Sequence, residues 1–185
     1  MPAVPRKRAD ARRNEKSLLD AAAAAFVAVG IDVPVRDIAT RAGVGVGTIY
    51  RHFPTRADLV VAVYKHQVEA CAEAGPALLA SSPSPYAALV AWVNMFADFL
   101  VTKHGLAEAL SSGDPQFEAL HASFVERLLP VATDLVAAAT DAGELRPVEP
   151  FGLILAVGNL CAGDGWDPRY NAREMVTHLL TGLHT

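Results

Sequence analysis

The tightest constraint on this chain is a spacing. Within Val35-Arg36-Asp37-Ile38-Ala39-Thr40-Arg41-Ala42-Gly43-Val44-Gly45-Val46-Gly47-Thr48-Ile49-Tyr50-Arg51-His52-Phe53, Ala39 is followed after four positions by Gly43 and after six more by Ile49. Two short helices that cross closely at a steep angle need a small residue where they touch, and Ala39 supplies it. They need a sharp turn that favours positive φ, which Gly43 permits. They also need an apolar plug on the second helix, which is Ile49, with Ile38 and Val44 completing the small core. The spacing predicts helices over Val35–Ala42 and from about Val46 to His52. The run Gly43-x-Gly45-x-Gly47 is not a nucleotide loop, because no strand precedes it and no Lys-Ser/Thr pair follows.

On this geometry the second helix lies in a DNA major groove and the first crosses the backbone. Val46, Gly47, Thr48 and Tyr50 then face the groove. Thr48 is suited to a thymine methyl or a phosphate, and Tyr50 and His52 to phosphate oxygens. Arg36 and Arg41 are backbone-contact candidates or plain solubilising charges. Arg56 stands at a helix start, where free N–H groups also attract phosphate. For Tyr50 the rival role is packing on Phe53.

Charge agrees with that division of labour. Residues 1–65 carry eleven Lys/Arg against six Asp/Glu, whereas the remainder carries five against fourteen, so the net charge of −4 conceals a basic head and an acidic body. Such asymmetry points to a polyanion at the basic part. The cluster Arg6, Lys7, Arg8, Arg12 and Arg13 reads as a disordered arm that reaches a groove, or else as a plain solvated surface. The 185 residues, 52% of them apolar, suffice for one or two small domains. No apolar run approaches a membrane span, the N-terminus lacks a secretory h-region, and Cys71 and Cys161 form no ligand pair. A reduced, cytoplasmic protein without a metal or cofactor is the expectation.

Nearly every segment reads as helix, so the fold class is all-α. The first helix is expected from about Asp10 to Val29, with Leu18, Leu19, Ala22, Phe26 and Val29 on one face and Gly30 as its stop. Thr55-Arg56-Ala57-Asp58 looks like a capping box for a fourth helix reaching about Leu79. Ser81-Ser82-Pro83-Ser84-Pro85 is a break. Helices follow over Tyr86 to about Lys103, Leu106–Ser111 and Pro115–Ala142, the last kinked or split by Pro130. Gly143 caps that end. The final two run from about Phe151 to Cys161 and from Asn171 to Leu183, around a loop at Gly163-Asp164-Gly165-Trp166-Asp167-Pro168.

The segment Ile38–Phe53, continued by Pro54-Thr55-Arg56-Ala57-Asp58-Leu59, resembles the N-terminal signature of TetR-family regulators over about residues 12–62. The resemblance implies recognition-helix positions at Val46, Gly47, Thr48, Tyr50 and His52, and a phosphate-binding basic residue at Arg56, where Lys is common. Pro34 and Gly45 depart from the family's frequent Ser/Thr helix caps. Further on, Ala91-Trp92-Val93 through Phe99, Lys103-His104-Gly105-Leu106-Ala107 and Ala142-Gly143-Glu144-Leu145-Arg146 are similar to the SbtR-type C-terminal domain.

Residues 1–62 are therefore expected to form a three-helix helix-turn-helix domain with its basic arm. Residues 63–185 are expected to form a larger helical bundle for ligand binding and dimerisation. Trp92, Phe96 and Phe99 line one helix face, and Phe117, His121, Phe124 and Leu128 another. Ordinary core is the plainer reading of such stripes; a ligand cavity is the competitor. On the second reading Trp92, Phe96, Phe117, His121, Phe124 and Asn159 are the pocket candidates. Both last helices are apolar over much of their surface, which fits burial inside a core or against a second subunit, and the resemblance implies a four-helix dimer interface, for which Met175 and His178 are candidates whose facing the sequence leaves open. The functional expectation is a homodimeric regulator, in the manner of a repressor, on a palindromic double-stranded operator and released by an unidentified small molecule. The rivals are an architectural DNA binder and a helical enzyme, for which no HExxH, Gly-x-Ser-x-Gly or P-loop exists.

Overall fold

The structure is a computed structural model. It describes the backbone of residues 4–109, 115–162, 167 and 169–185, and side chains over 13–100, 123–162, 167 and 169–185. The side chains of Arg6, Lys7, Arg8, Arg12, Phe117 and His121 lie outside the described residues, as does most of the expected loop after Cys161. The described chain is helical throughout: α1 Val4–Val29, α2 Val35–Ala42, α3 Val46–His52, α4 Arg56–Ser81, α5 Pro85–Ala109, α6 Pro115–Asp141, α7 Pro150–Ala162 and α8 Ala172–Leu183. No strand occurs among the described residues, only an isolated antiparallel bridge between Leu145 and His184.

Three expectations need correction. The N-terminal segment is helical from Val4 rather than from Asp10, because Pro5 falls in the first turn, where no intrahelical N–H is required. The α5 helix runs unbroken through Gly105; an interior glycine costs about 1 kcal/mol relative to alanine without ending a helix. The α6 helix is one element through Pro130, and α4 likewise contains Pro76. In each case the proline forfeits a single backbone bond.

Two compact units emerge, Met1–Gln67 with Val101–Ser112, and Val68–Leu100 with Gly113–Thr185. In the first, α1 buries Leu18, Leu19, Ala22, Ala25 and Phe26, and α4 contributes Leu59, Val60 and Val63. Val29 lies off that face and is 62% exposed. His66 Nε2 and Asp20 Oδ1, 2.6 Å apart, pair α4 with α1.

The second unit is organised around aromatic rings. Trp92 stacks on Phe96 (centroids 5.7 Å, 9°), Phe96 on Phe124 (5.9 Å, 9°), and Phe124 on Phe99 (5.6 Å, 22°). The indole N–H of Trp92 donates to the Cys71 carbonyl at 2.8 Å, so the one polar atom of this buried ring is satisfied. Burial pushes the Cys71 thiol up to about 12. Arg127 of α6 pairs with Glu69 of α4, and Arg173 of α8 with Asp98 of α5. The Gly143–Arg146 segment has a defined task here. Gly143 (φ 71°) ends α6, the Glu144 carboxylate accepts from the Tyr86 N–H at 2.8 Å, and Arg146 N–H bonds the Leu183 carbonyl at 2.8 Å. One short stretch thus ties the start of α5 to the end of α8.

Candidate nucleic-acid interface

The pair α2–α3 is built as the spacing requires. Ile38, Ala39 and Ile49 are buried, Ile49 to 1% exposure, and Val44 is half-buried. Gly43 adopts φ 67°, ψ 28°. Val44 N–H reaches the Ala39 carbonyl at 3.0 Å and Gly43 N–H the Thr40 carbonyl at 3.2 Å. This doubly bonded left-handed ending satisfies the last carbonyls of α2 and turns the chain into α3. Neither Pro34 nor Gly45 makes a side-chain cap bond, as their side chains dictate. Phe53 is buried just after α3 and fixes its far end.

With Ile49 inward, the opposite face of α3 is presented outward. Val46, Gly47, Tyr50, Arg51 and His52 are exposed, Thr48 is half-buried, and the Tyr50 ring is 49% exposed. Tyr50 is therefore not a core residue, and the ring of His52 lies near that of Phe53, with centroids 6.0 Å apart. Arg51 was overlooked in the sequence reading. Its Nε–H donates to the Gly47 carbonyl and its Nη2 to Thr48 Oγ1, both at 3.3 Å, so the guanidinium lies along the outward face. The signal available was its i+3 relation to Thr48 on a helix whose inward position is Ile49.

Arg36, on α2, is an exposed charge beside Asp37 at 3.5 Å. The capping box at α4 is reciprocal: Asp58 N–H donates to Thr55 Oγ1 at 3.1 Å, and Thr55 N–H to Asp58 Oδ2 at 2.9 Å. Arg56 is half-buried, and its Nη2 donates to the carbonyls of Ile31 and of Val33, the latter at 2.9 Å. An outward-facing short helix with hydroxyl, imidazole and guanidinium groups offers donors for phosphate and base edges.

The pocket candidates are not gathered at one place. Trp92, Phe96 and Phe124 are buried and stacked on one another, whereas Asn159 is exposed on α7. Phe117 and His121 lie outside the described side chains. An open groove of about 500 Å³ lies elsewhere, along Val125, Leu129, Pro130 and Thr133 of α6. Among the described residues no His/Cys/Asp/Glu group could hold a metal, and no helix is long and apolar enough to cross a membrane.

Comparison with known proteins places both parts of the chain. Residues 18–63 match the family described as bacterial regulatory proteins, tetR family. Residues 84–185 match the SbtR-like C-terminal domain of transcriptional regulators. A TetR transcriptional regulator from Streptomyces coelicolor is similar at 32% identity and TM-score 0.73, covering 92% of this chain and 98% of its own. A TetR regulatory protein from Mycobacterium vanbaalenii is also 32% identical, at TM-score 0.67, with 96% and 99% covered. No curated protein matches the chain. These relatives are regulators rather than enzymes: the chain belongs to the TetR family of DNA-binding transcriptional regulators, with a C-terminal domain of the SbtR-like type.

Proposed function

We propose that this regulator is a repressor that binds a palindromic operator as a homodimer and releases it when a small molecule binds its second unit. The observation that carries the reading is the α3 helix, anchored by buried Ile49 with Tyr50, Arg51 and His52 directed outward. Thr48 and Arg51 are the proposed base-reading residues. Tyr50, His52 and Arg36 are proposed to hold phosphates, and Val46 and Gly47 to allow close approach to the groove. Two such helices in a two-fold dimer read two half-sites, which is why the operator is expected to be palindromic.

The effector is assigned to the aromatic region of Trp92, Phe96 and Phe124, with Phe117 and His121 continuing the stripe in sequence. Those rings are closed on one another, so a ligand enters by parting them. Trp92 is bonded to the Cys71 carbonyl of α4, and α4 begins at Arg56, directly after α3. Displacing the indole thus acts on the helix that follows the reading head. Linkage requires that operator binding weaken the effector by the same factor.

The test is selection of bound fragments from a random DNA pool, followed by a release screen with small molecules. A palindromic product, lost with Tyr50→Ala while the circular dichroism spectrum is retained, is the expected result. Binding without sequence preference, unaffected by Tyr50→Ala, would instead indicate an architectural role. A chain that retains no DNA even at low salt refutes the reading.

A further inference from the structure

A helix that reads DNA needs hydrogen-bonding groups at the end that enters the groove, and in a helix-turn-helix that is the N-terminal end. The start of α3 is nearly bare of them. Gly45 and Gly47 carry no side chain, Val46 carries an apolar one, and Thr48 has a single short hydroxyl. Packing does not impose this, because Gly47 is exposed and a Cβ built there would meet nothing within 4 Å. The first turn of α3 therefore has room for a longer donor that reaches it from elsewhere.

Arg51 is that donor. Side chains on a helix lean back toward its N-terminus, and the exposed Arg51 follows Gly47 by four residues and Thr48 by three. Its Nε–H donates to the Gly47 carbonyl and its Nη2 to Thr48 Oγ1. Both bonds use one edge of the guanidinium, the edge shared by Nε and Nη2. The terminal edge, with one hydrogen from each of Nη1 and Nη2, is not used by them and is held over the bare first turn. That edge is a planar fork matched to a pair of adjacent acceptors. In the major groove guanine presents such a pair, O6 and N7, whereas adenine sets its N6 donor against the fork. We propose that Arg51 reads one guanine in each operator half-site, and that Thr48 is the positioning residue that aims it. The inference rests on the DNA-binding reading above and names the base that this side chain selects.

A phosphate would also accept from that edge, but a phosphate contact carries no sequence information. The two roles therefore separate by position. A guanine contact concerns one base pair per half-site, whereas a phosphate contact strengthens every sequence alike and adds about 0.9 to the slope of log affinity against log salt.

The experiment measures anisotropy of a labelled operator, selected with the unaltered protein, against the full chain and its Arg51→Ala, Thr48→Val and doubly substituted variants. Each guanine of the half-site is replaced in turn by adenine or by 7-deazaguanine, which lacks the N7 acceptor. One position is expected at which the unaltered protein loses roughly tenfold or more with adenine and severalfold with 7-deazaguanine. Arg51→Ala should be indifferent to both changes there and keep its preferences elsewhere. Thr48→Val should weaken the preference at that position, Thr48→Ser should retain it, and Thr48→Val should change nothing once Arg51 is alanine. Circular dichroism checks the fold of each variant, and the 7-deazaguanine arm leaves the protein unaltered. Three results overturn the proposal: no guanine at a fixed position, a loss with Arg51→Ala that is uniform over all sequences, or a Thr48→Val effect that persists without Arg51. If the unaltered protein selects no DNA, the DNA-binding reading itself has failed. If it selects an operator whose guanines are not coupled to Arg51, only the role of Arg51 has.

Discussion

At Gly43 the backbone stands at φ 67°, and a Cβ built there would meet nothing within 4 Å. The residue is therefore required by conformation alone, not by space. Gly43→Ala is expected to cost about 1–2 kcal/mol, the penalty of a left-handed L-residue, with no cavity or clash contributing. Urea unfolding should show a lower midpoint at unchanged m-value; a neutral substitution would mean that the turn relaxes out of the left-handed region. This position was legible in the sequence because its demand is local: a steep turn four residues after a small helix contact admits few residue types. Arg56 was legible only as a charge at a helix start. Its partners are backbone carbonyls of Ile31 and Val33, and a carbonyl has no residue-specific signature, so no pattern announces it. Arg51 was missed for a related reason, since its contact with Thr48 Oγ1 matters only once Ile49 is known to point inward.

Helix ends were read more accurately than helix interiors. The endings at Gly43 and Gly143 and the Thr55/Asp58 box sit where expected, because a cap is settled by the residues that make it. Whether an interior Pro or Gly ends a helix depends on what the flanking turns pack against, which lies far away in sequence. Hence α5 passes Gly105 where the sequence suggests a break, α6 is not split at Pro130, and α4 accommodates Pro76. The neighbour of Pro76 shows that distant dependence directly. A Cβ on Gly75 of α4 would overlap Cγ1 of Val131, the residue after Pro130 in α6. Alanine at 75 would gain about 1 kcal/mol of helix propensity, but overpacking costs about 1–3 kcal/mol, and a helical valine has little rotamer freedom to yield. Gly75→Ala is thus expected to destabilise by about 1 kcal/mol on balance. In a Val131→Ala background the same substitution should become neutral or stabilising. A double-mutant cycle by urea unfolding measures the difference, and additivity of the two changes would show that α4 and α6 do not meet there.

For the molecule as a whole, the division into a basic head and an acidic body follows from charge counts, but which apolar face is core and which is left for a partner does not. The aromatic stripes of α5 and α6 close on one another, whereas α7, equally apolar in sequence, is only half used. Leu153, Ile154, Val157 and Cys161 are buried, while Phe151 and Leu155, one turn apart, remain 44% and 52% exposed. Met175 and Leu179 of α8 are half-buried. A helix with apolar residues on both its inner and outer faces is built for burial on both, and a second copy of the chain satisfies that demand with the two-fold symmetry a palindrome requires. Because Leu155 contributes little to the core of its own chain, Leu155→Glu should leave the fold intact and place two like charges in or near the shared surface. Sedimentation is expected to show a mass falling from twice 19.6 kDa to 19.6 kDa. Affinity for the full operator should fall toward that for one half-site, since the second recognition helix is no longer tethered to the first. Retention of the dimer by both Leu155→Glu and Phe151→Glu would remove α7 from the interface and leave its exposed face to some other surface.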